Sequence, residues 1–224
     1  MAILPPKRIY YKNEIEIRPF STEDAKAIYQ GYKDSVTDLK KFMAWAHIKT
    51  DFEKACLLYA EFNYKTILCT DIHFTGFDKK TSEFLFCSSL YPHDRLNTNA
   101  YELGYWVSSN HHGKGLGTLA AKAMIVLAFE YFDADRVSVR CNLDNEGSKA
   151  VIHKCGFKEE GIMRNALKKP SVEMVQDGYS TQRDTYLYSL LPEDLSDLDW
   201  YKPLFRDIEI ITYQQELKKI AEER

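Results

Sequence analysis

No run of about 18 apolar residues, the length a helix needs to cross a bilayer, occurs in the 224-residue chain. Residues 1–20, "MAILPPKRIYYKNEIEIRPF", hold no uninterrupted apolar segment of the kind that marks a secretory leader. Excess charge is missing as well. Thirty basic residues stand against 33 acidic ones for a net charge of −3, so there is no basic field to hold nucleic acid or an anionic membrane. The five cysteines, Cys56, Cys69, Cys87, Cys141 and Cys155, form no CxxC pair and no Cys/His cluster at metal-ligand spacing. These absences predict a soluble, cytoplasmic protein with reduced thiols and no metal, nucleic acid or membrane among its partners. Repeats, low-complexity tracts and Pro/Gly-rich linkers are also lacking. With 45% hydrophobic residues, the chain is expected to be globular and to form one α+β or α/β domain.

Several elements are legible by period. "EIEIRPF" (14–20) alternates like a strand, and "STEDAKAIYQGY" (21–32) reads as a helix with Ser21 as N-cap and acidic residues in its first turn. One further helical stretch or two are expected across about 35–64, then strands at 65–77 and 82–91, and a polar loop at 93–100. "YELGYWV" (101–107) reads as a strand. From Gly115 on, Leu116, Leu119, Ala120, Ala123, Met124, Leu127, Ala128 and Tyr131 recur at the spacing of one buried helix face. A strand at 136–141, a helix at 145–155 closed by Gly156, and strands near 158–165 and 183–191 complete the pattern. The tail, 196–224, reads as an appendage that is helical toward its end.

Between the strand at 101–107 and the helix that follows it lies "HGKGLG" (112–117). A strand, a glycine-rich turn and a helix make a phosphate cradle, because the first-turn N–H groups are free and glycine admits close approach. The same turn also serves simply to pack a helix tightly on a sheet. Neither common nucleotide motif fits. A Walker A loop needs a glycine five residues before Gly-Lys-Ser/Thr, and a dinucleotide GxGxxG would need glycine where Thr118 stands.

"HGKGLG" does resemble the [QR]xxGx[GA] pyrophosphate signature of the GNAT superfamily of acetyl-CoA-dependent N-acetyltransferases, with His112 in the Arg/Gln position. The neighbouring segments carry the resemblance further, toward the RimL-like branch, the ribosomal-protein N-terminal acetyltransferases. "YELGYWV" is similar to that branch's ExGYW strand. "NEGSKAVIHKCGF" (145–157) is similar to its NxxSxxxxxKxGF helix, with Asn145, Ser148, Lys154, Gly156 and Phe157 in register. "EEGIMRNA" (159–166) is similar to an EGxxR turn and "RDTYLYSLL" (183–191) to a closing RDxxxYSLL strand. The resemblance is faint over 1–99 and absent past Pro192.

It implies an α+β (mixed α/β) fold in which a central, mostly antiparallel sheet is splayed at a parallel strand pair and flanked by helices. Residues 1–192 would form one acetyltransferase domain and 193–224 a C-terminal extension. Acetyl-CoA would be the co-substrate, lying in the gap of the sheet. The backbone of Gly113, Lys114, Gly115, Leu116, Gly117 and Thr118 would hold its pyrophosphate, with His112, Val107, Asn145 and Ser148 as further contacts. Lys114 adds attraction there or is an ordinary surface lysine. Glu102 would take a proton from the acceptor amine, directly or through water, or be a rim carboxylate in a salt bridge. A backbone N–H near Trp106 or Val107 would face the oxyanion. The tyrosine with which many members protonate the leaving thiolate falls at Ile152, so that acid is missing, and Ser148 would hydrogen-bond the sulfur or be a plain helix-surface serine. Tyr105 and Trp106 would wall the acceptor pocket. The acceptor is expected to be a protein N-terminus or a small cationic amine, with a non-catalytic CoA-binding regulator as the third class, and the protein a monomer or homodimer.

Overall fold

The computed structural model describes residues 4–93 and 97–222. In chain order the elements are β1 (Arg8–Tyr11), β2 (Ile15–Pro19), α1 (Ala25–Leu39), α2 (Phe52–Ile67), β3 (Ile72–Asp78), β4 (Phe84–Pro92), β5 (Ala100–Val107), α3 (Leu116–Val126), β6 (Arg136–Asn142), α4 (Glu146–Cys155), β7 (Lys158–Met163), α5 (Val172–Gln176), β8 (Thr185–Leu190), α6 (Tyr201–Asp207), β9 (Ile208–Ile211) and α7 (Tyr213–Glu222). The fold is mixed α/β, with one nine-stranded sheet in the order β7-β8-β6-β5-β4-β3-β2-β1-β9. Among the assigned strand pairs only β5–β6 is parallel.

That parallel pair decides where a ligand can lie. Its register runs only from Ala100↔Arg136 to Glu102↔Ser138. Beyond it β5 stays on β4 as far as Val107, while β6 stays on β8 as far as Asn142. Each strand is held by its other neighbour as the two part, so the sheet opens at Glu102.

Local signals set the helix starts. The Ser21 hydroxyl accepts the Glu23 N–H at 3.2 Å, opening a short 3-10 turn before α1, and Asp51 caps α2 by accepting the Lys54 N–H at 2.9 Å. Because α2 continues to Ile67, the strand expected from residue 65 begins only at Ile72. The one or two helical stretches expected over 35–64 are the end of α1, a 3-10 turn at Ala44–His47 and α2. Part of the loop expected at 93–100, residues 94–96, lies outside the described residues.

Helices cover both faces. On one, α1 and α2 close over Phe20, Ile28, Tyr59, Phe77 and Phe84. On the other, α3 and α4 pack over Phe86, Leu103, Val137, Val139 and Tyr188. The expectation of a single buried stripe on α3 is too narrow, since Ala121, Ile125 and Val126 are buried along with Ala120, Ala123 and Met124. The cover over its far side comes from the tail. Tyr201 and Leu204 of α6 join the same core, the Lys122 ammonium sits 4.4 Å from the Trp200 ring centroid, and β9 pairs with β1. The segment 193–224 therefore contributes a strand and core side chains besides helix.

Candidate active site

The opening between β5 and β6 leads into a cavity of about 530 Å³ bounded by the end of α1, β5, the loop before α3, and α4. Its glycine-rich wall is backbone. Gly113 and Gly115 have φ of +76° and +78°, and a Cβ built on either meets nothing within 4 Å. Their conformation is the left-handed one that glycine adopts without strain, and the space beside them is open. Gly117 differs: its Cβ would stand 3.3 Å from Val151 and 3.4 Å from Val107, so α3, α4 and β5 approach tightly there. The Leu119 N–H bonds to the Gly115 carbonyl at 3.0 Å. The N–H groups of Leu116, Gly117 and Thr118 precede that first helical bond and have no acceptor within the helix.

The cavity is thus lined by bare backbone beside the positive end of a helix dipole, a combination suited to phosphate oxygens. The group fits as far as the walls go, because the wall that must touch phosphate carries no side chain at Gly113 or Gly115.

Two basic residues of the signature turn elsewhere. The His112 ring donates from Nε2 to the Val107 carbonyl at 3.2 Å, fastening the loop to the end of β5. The Lys114 ammonium donates to His111 Nδ1 at 3.1 Å, and His111 Nε2 meets Glu83 at 3.0 Å. An ammonium only donates, so Nδ1 accepts and Nε2 carries the proton shared with Glu83. Lys114 is not among the residues lining the cavity, whereas His112 is.

Alternation along β5 sorts its side chains. Leu103, Tyr105 and Val107 face α3 and α4. Trp106 packs on the opposite face, 5.2 Å from Phe84 and 6.3 Å from Trp45 by ring centroids, and Glu102 shares that face by the two-residue period. Tyr105 and Trp106 therefore line the cavity from opposite sides of one strand. Glu102 Oε1 accepts Nε and Nη2 of Arg140, both at 2.9 Å, which is a rim salt bridge across the splayed pair.

Asn145 caps α4, its Oδ1 accepting the Ser148 N–H at 3.0 Å. Ser148 Oγ lies 3.0 Å from the Tyr105 hydroxyl, and burial pushes that phenol well above its ordinary range. Ile152 is 1% exposed and belongs to the core. Burial also raises the Cys155 thiol to about 12 and Cys141 to about 11, so neither is an ionised nucleophile near neutrality. Among the described residues no group of three or more His, Cys, Asp or Glu is placed to hold a metal ion, and no helix is long and apolar enough to cross a membrane.

The end of α1 is the part of the wall that sequence reasoning missed. Asp38, Lys41, Phe42 and Met43 line the cavity. They are brought there by Ser35 Oγ accepting the Ser109 N–H at 2.9 Å and by the Ser109 hydroxyl donating to Asp38 at 2.7 Å. The hydrogen bond from Lys41, and then that from Ser109, hold the Asp38 carboxyl below its ordinary value.

Residues 14–158 match the family described as acetyltransferase (GNAT) domain. The chain is 40% identical over 79 residues to the N-acetyltransferase YdaF of Bacillus subtilis (strain 168), spanning 35% of this chain and 43% of that protein. It is 29% identical over 123 residues to the ribosomal-protein-serine acetyltransferase of Escherichia coli (strain K12), 53% of this chain and 63% of that one. The chain thus spans less than two thirds of either relative. Among solved structures, RimL, the ribosomal L7/L12 alpha-N-protein acetyltransferase, in complex with coenzyme A superposes with a TM-score of 0.71 at 20% identity, over 82% of this chain and 97% of that one. The microcin C7 self-immunity acetyltransferase MccE, in complex with acetyl-CoA and AMP, gives 0.72 at 21% identity over 84% and 98%.

Proposed function

The chain belongs to the GNAT family of N-acetyltransferases, and on that premise we propose that it moves the acetyl group of acetyl-CoA to the α-amine of a protein N-terminus. The thioester supplies an activated acetyl group. What the chain supplies is placement: the loop and first turn at 113–118 for the pyrophosphate, and the unpaired edge of β5 past Glu102 for the acetyl carbonyl, where a backbone N–H near Trp106 or Val107 faces the developing oxyanion.

The observation that carries the choice of acceptor is the Glu102–Arg140 pair. Glu102 Oε1 already accepts two donors from Arg140, and the carboxylate attracts an ammonium and passes its proton on through water. A carboxylate already engaged by Arg140 suits an amine that is partly neutral before it arrives. With a pKa near 8, an α-amine is about one quarter neutral at pH 7.5, whereas a lysine or polyamine amine near 10.4 is neutral only about 0.1% of the time. The names of the relatives, which refer to ribosomal proteins, favour a protein acceptor as well.

The test is a competition at pH 7.5 between a peptide with both a free N-terminus and an internal lysine, and spermidine, with products located by mass spectrometry. Acetyl on the peptide's α-amine is the expected result. Turnover of spermidine with the peptide untouched would replace this reading with that of a small-amine acetyltransferase.

A further inference from the structure

Tyr105 and Ser148 reach the cavity from the two elements that flank the opening, β5 and the first turn of α4. The Tyr105 hydroxyl lies 3.0 Å from Ser148 Oγ and 3.4 Å from the Ser148 carbonyl. The phenol has one proton, and either hydroxyl can donate across the 3.0 Å contact; with the phenol proton given to Ser148 Oγ, the carbonyl at 3.4 Å is the weaker branch of the same donor. The hydroxyl proton of Ser148 is then free to point away from Tyr105. Asn145 fixes the turn that carries it through the 3.0 Å bond to the Ser148 N–H. Both residues line the cavity, while the position at which many family members carry a proton-donating tyrosine is filled by Ile152, buried in the core.

We propose that Tyr105 is a positioning residue for acetyl transfer: its phenol holds the Ser148 hydroxyl so that the hydroxyl proton faces the sulfur that leaves. This rests on the acetyl-transfer reading above. When the C–S bond breaks, sulfur keeps the electron pair and Ser148 donates a hydrogen bond to that charge. The amine's proton leaves by way of Glu102 and water, and the proton that finally joins sulfur comes from solvent. Tyr105 keeps its own proton. Burial raises the phenol far above the range of a thiol, about 8.5, so handing that proton to a thiolate would run uphill, whereas a fixed neutral donor loses nothing by staying protonated.

The test uses the full chain as wild type, Tyr105→Phe, Ser148→Ala and the double variant, with two readouts. The first needs no turnover: coenzyme A is bound and its thiolate absorbance followed against pH. Loss of the Ser148 donor is expected to raise the apparent pKa of the bound thiol by about one unit, and loss of Tyr105 by roughly half of that. The double variant is expected to match Ser148→Ala alone, because Tyr105 acts through Ser148. The second readout is kinetic, where Tyr105→Phe should lower kcat about 10-fold and leave KM for acetyl-CoA unchanged.

A thiol that titrates in Tyr105→Phe as in the wild type overturns the proposal, even if the melting temperature falls. Additive shifts in the double variant overturn it equally. If coenzyme A binds and the shifts appear but no amine is acetylated, the acetyl-transfer reading fails while the pairing toward sulfur stands. If the wild type does not bind coenzyme A, both fall.

Discussion

Replacing Gly115 by aspartate tests whether the cradle before α3 binds an anion. Gly115 sits at φ +78°, where a non-glycine residue is strained by about 1 kcal/mol, and aspartate tolerates this region better than most. A Cβ there meets nothing within 4 Å, so the variant is expected to fold with only that loss. Its carboxylate, however, would share the cavity mouth with the pyrophosphate. Two like charges about 4 Å apart repel by roughly 4 kcal/mol at an effective dielectric of 20, which is about a thousandfold in affinity. Gly115→Ala carries the backbone strain without the charge and separates the two effects. Calorimetric titration with coenzyme A should give near wild-type affinity for the alanine variant and a loss of about 100- to 1000-fold for the aspartate one. Raising the salt to 1 M, where the screening length falls to about 3 Å, should restore part of that loss. An alanine variant as impaired as the aspartate one would refute the electrostatic reasoning, and aspartate without effect would mean that no phosphate sits at this turn.

Two further outcomes concern stability. His73 is 3% exposed, bonds from Nδ1 to Ser89 Oγ at 2.9 Å and stacks on Phe62 at 4.3 Å, and burial lowers its pKa from 6.5 to about 4. The unfolded chain therefore binds this proton first, so the stability that neutral His73 supplies is complete above pH 6.5 and is lost as pH falls toward 4. The loss is on the order of 3 kcal/mol, and urea titrations at pH 7 and 4.5 should show a smaller difference for His73→Asn than for the wild type; equal differences would remove His73 as the cause. In the tail, Leu204 is 7% exposed within the core and Leu217 is 66% exposed. Leu204→Ala should cost about 2–4 kcal/mol by denaturant unfolding and Leu217→Ala about 0.5 kcal/mol or less. Similar costs for the two would show that α6 is not a part of the core.

The parts legible in the sequence were those whose cause is local. β5, the glycine turn and α3 follow one another within some 25 residues, and the φ values of Gly113 and Gly115 are what a turn of such composition calls for. Asn145 and Ser148 were visible only through the resemblance to an NxxS helix, and their spacing of three is that of an N-cap and the N–H it accepts. The contribution of α1 was not, because Ser35 and Asp38 meet Ser109 across more than 70 residues and carry no motif. β1 and β9 are four residues each, too short for alternation to rise above chance; β1 is held between β2 and β9, and β9 by its pairing with β1. The tail read as an appendage for the same reason: a helix that covers α3 looks, on its own, like any amphipathic segment. The direction of Lys114 depends on His111, whose own partner, Glu83, is fixed 28 residues earlier.

On the proposed reading, one short strand, β5, serves two reactants. Its period of two sends Tyr105 and Val107 to the side of α3 and α4, where the glycine turn and Ser148 lie, and sends Glu102 and Trp106 to the side of α1 and α2. On the proposed reading, the cofactor and the amine then meet only through the strand's open edge, which exists because β6 leaves after Ser138. The two sides are consequently separable by substitution. Changes at Glu102 and at Trp45, neither of which lines the cavity of the glycine turn, should alter which amine is used while leaving coenzyme A affinity within about 0.5 kcal/mol, because their effects add to those of groups they do not touch. Trp45→Ala provides the check. Coenzyme A binding weakened as much as amine use would mean that the strand does not partition the two reactants, and the division of the site drawn from its alternation would have to be abandoned.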